Sequence, residues 1–387
     1  MSEIKVNSIK GVGASAAAIT VNNTDGTCTA NITNNLSNRR LTINGAMTIS
    51  QRGTSSTAVG YLIDRFYNSY SGVDENPTFA QADVASGTTP YTSGFRKSIK
   101  ITNGNQTSGA GAGVYIQIQH MIEAQDMASS GLNFTSASSF ITLSFWVKSS
   151  VAGDYTLNFE TQDGTAYRYL MEYTLSADTW TKVTKTISGN SNLTFNNDNG
   201  SGLELYIWAF IGTDYTASSV TEDAWSTYNS SARTKDDTST WWTTNDATFE
   251  LTGVQLEVGS VATDFEHRSF GQELALCQRY CYVWKSSTAY SNMGTGVQTD
   301  SSNVDITFTL PQIMRASPSF SSSGSFRTVG YDSGSQTAQA LSALAVNRSH
   351  PHTPYLRGSI SGGTGGAVGE LGDNGSNDAT GIFSAEL

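Results

Sequence analysis

From Ile141 to Ser149 the chain reads ITLSFWVKS, which puts Ile141, Leu143, Phe145 and Val147 on one side of an extended backbone and Thr142, Ser144, Trp146 and Lys148 on the other. Successive side chains of a strand point to opposite faces, so this is a strand with one face buried. A helix would scatter the four apolar residues around its circumference. The same alternation occurs at Ile99 and Ile101 against Lys100 and Thr102, and at Val114, Ile116 and Ile118 against Tyr115, Gln117 and Gln119. YTLNFE, YRYLMEY, WTKVTKTI and LELYIWAF follow, separated by turn-forming AGD, QDG and NNDNGSG. Strands at this spacing predict an all-β fold built on a β-sandwich over 41–268, and the lack of any long amphipathic helix among them disfavours a parallel α/β sheet.

The last strand of this region changes phase. Phe249 and Leu251 share one face, but after Gly253 the apolar set becomes Val254, Leu256 and Val258, which predicts a β-bulge at the glycine. Beyond it, Ser269 precedes Gln272 by three residues, a capping-box spacing, and Phe270, Leu274, Cys277 and Cys281 fall along one face of a helix. A second, smaller β-domain over 269–387 follows this helix, with Val304, Ile306, Phe308 and Leu310 inward and a Gly-rich stretch from Gly358 to Gly381. Residues 1–40 are β-prone scraps between Gly-, Ala- and Asn-rich turns. They are too sparse to bury a core of their own, so they are expected to be disordered, to dock on a partner or to intertwine with copies of themselves.

Ser, Thr and Asn make up about a third of the 387 residues, and charged residues only 14%. This suits short strands and polar turns. The net charge of −11 has no basic run within it and argues against nucleic acid as a partner. No stretch approaches 18 consecutive apolar residues and no secretory leader opens the chain, so no membrane insertion and synthesis in a cytoplasm are expected. Cys277 and Cys281, one helical turn apart, read as small buried apolar residues.

Local motifs for catalysis are missing: no H-E-x-x-H, G-x-S-x-G or C-x-x-C occurs, and the glycines are not followed by the Lys-Ser/Thr of a phosphate loop. Asp264, Glu266 and His267 sit close in sequence, but an extended backbone would turn His267 away from the two acids, so DFEHR reads as a polar linker. No enzyme activity is expected.

Two features are candidates for binding. The stretch from Tyr215 to Trp242 carries Tyr215, Trp225, Tyr228, Trp241 and Trp242 among Asn, Asp and Thr, a mixture in which rings stack on sugar faces while polar groups meet hydroxyls. His350 and His352 alternate, and in a strand would face one way. Three copies around a threefold axis would then present six imidazoles to a transition metal. No cofactor is expected. A structural calcium ion is compatible with a β-sandwich, although no D-x-D-x-D cluster places its ligands.

LTINGAMTISQRG (Leu41–Gly53), YLIDRFY (Tyr61–Tyr67), FELTGVQLEVGSVATDFEHRSFGQELALCQRY (Phe249–Tyr280) and MRASPSF (Met314–Phe320) closely resemble tail-fibre and other virion proteins of tailed bacteriophages. The region over 41–268 also resembles jelly-roll carbohydrate-binding modules, with Ala46 and Met47 standing where those modules keep an aromatic-acid pair. The resemblance implies a homotrimeric fibre or spike in the virion. Residues 1–40 would attach to a tail or adaptor protein, and the β-domains would face a host envelope polysaccharide or outer-membrane receptor. It leaves open a capsid or collar decoration or connector protein without a receptor role.

Overall fold

The computed structural model describes residues 8–10, 12, 19–21, 24, 28–30, 40–236, 239–332 and 335–387. Of the expected attachment segment it describes three short strands, Ser8–Ile9, Ile19–Val21 and Cys28–Ala30, paired in one small sheet. The rest of residues 1–39 lies outside the described residues.

The fold is all-β, and the body of the chain is a sandwich of two antiparallel sheets. The six-stranded sheet runs in the order Thr181–Ser188, Phe140–Ser149, Thr248–Val258, Lys97–Thr102, Thr78–Asp83, Ser55–Ser56. The seven-stranded sheet runs Trp225–Thr227, Tyr167–Leu175, Gly153–Thr161, Ser201–Ile211, Tyr115–Glu123, Phe66–Ser71, Gly60–Tyr61. Leu143, Phe145 and Val147 of one sheet and Leu157, Phe159, Leu205 and Ile207 of the other belong to one buried core. The alternation therefore places the apolar face of each strand between the sheets.

The phase change at Gly253 is a bulge. Pairing passes from Ser144 opposite Gln255 to Trp146 opposite Thr252, so Gly253 and Val254 together face Phe145. Gly253 has φ +65°, and a Cβ there would stand 2.7 Å from the Phe95 ring, so both conformation and space require glycine.

A second core lies in the C-terminal part, where Val304, Ile306, Phe308 and Leu310 are buried with Leu356, Leu371 and Phe383. It sits between a three-stranded sheet and a seven-stranded sheet ordered Ser335–Ala340, Phe326–Asp332, Val368–Asp373, Asn292–Gln298, Asn303–Thr307, Tyr355–Ser359, Ala343–Arg348. The helix between the two cores is Phe270–Gln278, started by the reciprocal Ser269 and Gln272 capping box. Its buried residues are Cys277, from the expected apolar stripe, and Glu273, which was not part of it. Phe270 is 64% exposed and Cys281 opens a strand instead of extending the helix. The reason is electrostatic: the Glu273 carboxylate accepts from the Arg40 guanidinium and the Asn44 amide, which rotates the polar residue inward.

Further ion pairs join the two parts. Glu123, at the end of a central sandwich strand and fully buried, accepts from Arg279 Nε and Nη2 at 2.8 Å and from the Tyr280 hydroxyl at 2.5 Å. Arg65 reaches Glu386 at 2.6 Å and Arg52 reaches it at 3.0 Å. Burial alone would raise the Glu123 pKa, but the Arg279 and Tyr280 hydrogen bonds outweigh it and hold the carboxyl below its ordinary value. Its stabilisation is therefore complete above the unfolded value of 4.5 and is lost as pH falls through the lower folded value. Glu123→Ala is expected to cost roughly 3 kcal/mol in urea unfolding at pH 7, because it strips a buried, bidentate partner from Arg279. That difference should shrink on acidification.

Candidate functional site

The outer face of the seven-stranded sheet is where the polar positions of four neighbouring strands meet. Register fixes the layout. Leu170, Asn158, Tyr206, Gln119 and Tyr67 form one cross-strand row. Arg168, Glu160, Glu204 and Met121 form the row on one side of it. On the other side, Gln117 lies opposite both Trp208 and Ser69. Residues directly opposite on adjacent strands have Cβ atoms about 5 Å apart, so Glu160 and Glu204 are side by side.

Hydrogen bonds organise this face. Glu204 accepts from Gln119 at 2.9 Å, from Ser201 at 2.9 Å and from the Tyr206 hydroxyl at 2.5 Å. The Trp208 indole donates to Asn158 at 2.7 Å, and Asn158 in turn donates to Glu160 at 2.9 Å. The Tyr206 and Trp208 rings stack with centroids 5.7 Å apart and planes at 8°, with Tyr115 edge-on to Trp208 at 6.1 Å. Tyr206 remains half-exposed above the buried Trp208.

Among the described residues, several buried groups on this face have no partner. Arg168, only 3% exposed, leaves Nε and Nη1 unpaired, and Gln117 Oε1 and Arg233 Nε are also unpaired. Buried polar atoms are nearly always satisfied, so these orphaned groups leave the hydrogen-bond network of this face incomplete. Burial, reinforced by the Glu204 charge, pushes the Glu160 carboxyl up to about 7 against the opposing pull of Arg233. Burial and then the Glu204 charge likewise push the Tyr206 hydroxyl up, so it stays a donor. The face thus offers a flat ring, carboxylate and amide acceptors, and unpaired guanidinium donors, which is the chemistry that meets a ring with several hydroxyls.

The aromatic stretch divides among three environments. Tyr215 and Tyr228 reach the rim of this face, where the Arg233 guanidinium lies over their rings at 5.2 and 5.7 Å, and Tyr215 packs edge-on against Tyr115 at 5.9 Å. Trp225 is half-buried at the sheet edge against Tyr169, its indole donating to the Ser188 carbonyl at 2.8 Å. Trp241 and Trp242, candidates for stacking on sugar, are 0% and 1% exposed. Asn103 donates to the carbonyls of Trp241, Trp242 and Thr244 at 3.3, 2.9 and 3.2 Å, and Trp242 packs on Phe210, so the loop returns its tryptophans to the core.

His350 and His352 do not alternate along a strand. They occupy the turn after Ala343–Arg348, where His350 Nδ1 accepts from the backbone amides of His352 and Thr353 at 3.2 and 3.1 Å. Among the described residues, no group of three or more His, Cys, Asp or Glu side chains is placed to hold a metal ion.

No family model matches the chain, and no curated protein matches it in sequence. Solved structures similar to it include the enzymatically active domain of tailspike protein 4 of bacteriophage CBA120, with 10% identity, TM-score 0.31, and coverage of 57% of this chain and 21% of that one. A xylan-binding domain from Paenibacillus barcinonensis shares 13% identity over 54% of this chain and 94% of that one, at TM-score 0.25. A family 11 carbohydrate-binding module from Clostridium thermocellum shares 7% identity over 51% and 91%, also at 0.25.

The raised Glu160 pKa has a stability consequence. Between the unfolded value of 4.5 and the folded value near 7, the folded chain holds a proton the unfolded chain has lost, so stability falls as pH rises through that window. Across it, Glu160 is expected to remove roughly 3 kcal/mol, at about 1.4 kcal/mol per unit. Urea unfolding of wild type and Glu160→Gln at pH 4.5 and pH 8 checks this: the variant should gain on the wild type only at the higher pH.

Proposed function

We propose that the chain is a non-enzymatic component of a tailed-phage virion whose sandwich binds a glycan of the host envelope through the outer face of its seven-stranded sheet. The observation that carries the glycan reading is the buried Arg168, with Nε and Nη1 unpaired among the described residues, beside the Glu160 and Glu204 carboxylates and the partly exposed Tyr206 ring. Sugars present closely spaced hydroxyls that both donate and accept, which suits interleaved guanidinium, amide and carboxylate groups under an aromatic ring. The virion part rests on the four phage-like phrases of the sequence. In that reading residues 1–40 serve attachment or trimer intertwining.

The side-by-side glutamates are the one feature that a glycoside hydrolase would also need. Glu204 already accepts from Gln119, Ser201 and Tyr206 and so reads as a fixed acceptor of the binding face. Host envelope polysaccharide incubated with the purified chain is therefore expected to release no reducing ends. Release abolished by Glu160→Gln would replace the non-enzymatic reading with a hydrolase.

For binding, the same polysaccharide is titrated calorimetrically against wild type, Tyr206→Ala and Tyr228→Ala. Each loss of a stacking ring is expected to weaken binding about tenfold, the equivalent of 1.4 kcal/mol, with the circular dichroism spectrum unchanged. Wild-type affinity in both variants would remove this face from glycan recognition. Gold labelling of intact virions is expected at fibre tips, whereas label confined to capsid or collar would assign a decoration or connector protein.

A further inference from the structure

A cleft of about 450 Å³ opens on the other side of the sandwich, on the outer face of the six-stranded sheet. That volume is in the range of small-ligand sites, about 300–1,000 Å³. Its floor is Ser144, Trp146 and the Gly253 bulge. One wall is the turn that carries Phe95, and the other is the Phe265–His267 segment that leaves the last strand of the sandwich. The three wall rings pack on one another, with Phe95 at 4.8 Å from Phe265 and 5.2 Å from His267, and His267 Nε2 lies 3.0 Å from the Ser93 carbonyl oxygen. The walls are therefore tied together and the cleft is preformed. Gly94 keeps it so, because a Cβ there would stand 2.8 Å from His267 Nε2.

The groups facing the cavity are uncommitted. Trp146 is half-exposed, and no ring or cation among the described residues packs on it. Lys182, its cross-strand partner, is exposed and takes part in no ion pair among the described residues, unlike Lys148 and Lys185, which pair with Glu250 and Asp223. The Asp264 carboxylate, exposed at the mouth, is also without a partner among the described residues. One ammonium and one carboxylate at a single cleft offset each other, so the pair favours a neutral, hydroxyl-rich ligand over an anion.

We propose that this cleft is a second saccharide site, which holds the end of a neutral glycan with one sugar ring on the Trp146 indole. Its hydroxyls would be shared between Asp264 as acceptor and Lys182 and the Trp146 N–H as donors. The sandwich then carries two sites on opposite sheets, and a polymer or cell surface engaging both gains effective concentration without any new contact.

Saturation-transfer NMR on the full chain with maltotriose, cellotriose, lactose and mannobiose tests this, using Trp146→Ala, Asp264→Asn and Tyr206→Ala. At least one of these neutral probes is expected to receive saturation. Trp146→Ala should weaken its binding at least tenfold and Asp264→Asn several-fold, with the circular dichroism spectrum of both variants unchanged. Tyr206→Ala, on the opposite sheet, should leave this binding intact, which separates the cleft from the proposed first site. The proposal is overturned if no probe binds the Tyr206→Ala chain, or if Trp146→Ala and Asp264→Asn bind as the wild type does.

Discussion

The rigid two-sidedness of the central strand Tyr115–Glu123 is the constraint on which the rest of the molecule depends. Ile116, Ile118 and Ile122 belong to the sandwich core, Gln117 and Gln119 stand on the outer face, and Glu123 anchors the C-terminal part through Arg279 and Tyr280. A shift of one residue in its pairing with Ser201–Ile211 would exchange these faces, sending glutamines into the core. Burial of three isoleucines, each contributing roughly 2 kcal/mol, therefore fixes the position of the polar side chains on the opposite face of the same strand. In this sense the core sets the geometry of the proposed binding face, and a site built on strands inherits the precision of the packing beneath it.

That precision comes with an electrostatic cost. Glu160, Glu204 and Arg168 are all less than a tenth exposed although they lie outside the apolar core. Glu204 is fully engaged by three donors, whereas Arg168 keeps two nitrogens unpaired. A buried network that is only partly satisfied is destabilising by about 1–3 kcal/mol for each orphaned group. On the proposed reading, a glycan hydroxyl would complete the network at Arg168.

The fold class was legible because alternation is a local property, and each strand from Ile99 to Val258 states its own inner and outer face. The bulge at Gly253 was legible for the same reason, as a break in that alternation. The proposed binding face was less so. Gln117, Glu160, Arg168, Glu204 and Tyr206 come from four strands, and no spacing in the sequence links them. The one available signal was the run of polar residues at the outward positions of YRYLMEY, LELYIWAF and YIQIQH, which a strand-by-strand tabulation of the solvent side would have assembled. Trp241 and Trp242 misled because composition does not state burial. Their position is decided by Asn103 and Phe210, which are distant in sequence. His350 and His352 misled because Pro351 and Pro354 turn the chain there, and a turn does not carry the period of a strand.

The segment DFEHR shows how a cluster that resembles catalysis in one dimension separates in three. Glu266 faces the joint, accepting from the Arg40 backbone amide at 3.2 Å and standing 3.5 Å from Arg268. His267 turns to the opposite side, against Phe95 and Ser93, and with Asp264 lines the cleft on the six-stranded sheet. The two carboxylates and the imidazole therefore never converge on one atom, as general acid and base catalysis would require. The segment serves two structural ends: its acid fixes the entry of the chain into the sandwich, and its imidazole closes a cavity wall. Since the same five residues bound both the junction with the C-terminal part and the cleft, the position of the C-terminal part and the shape of the cleft are set together.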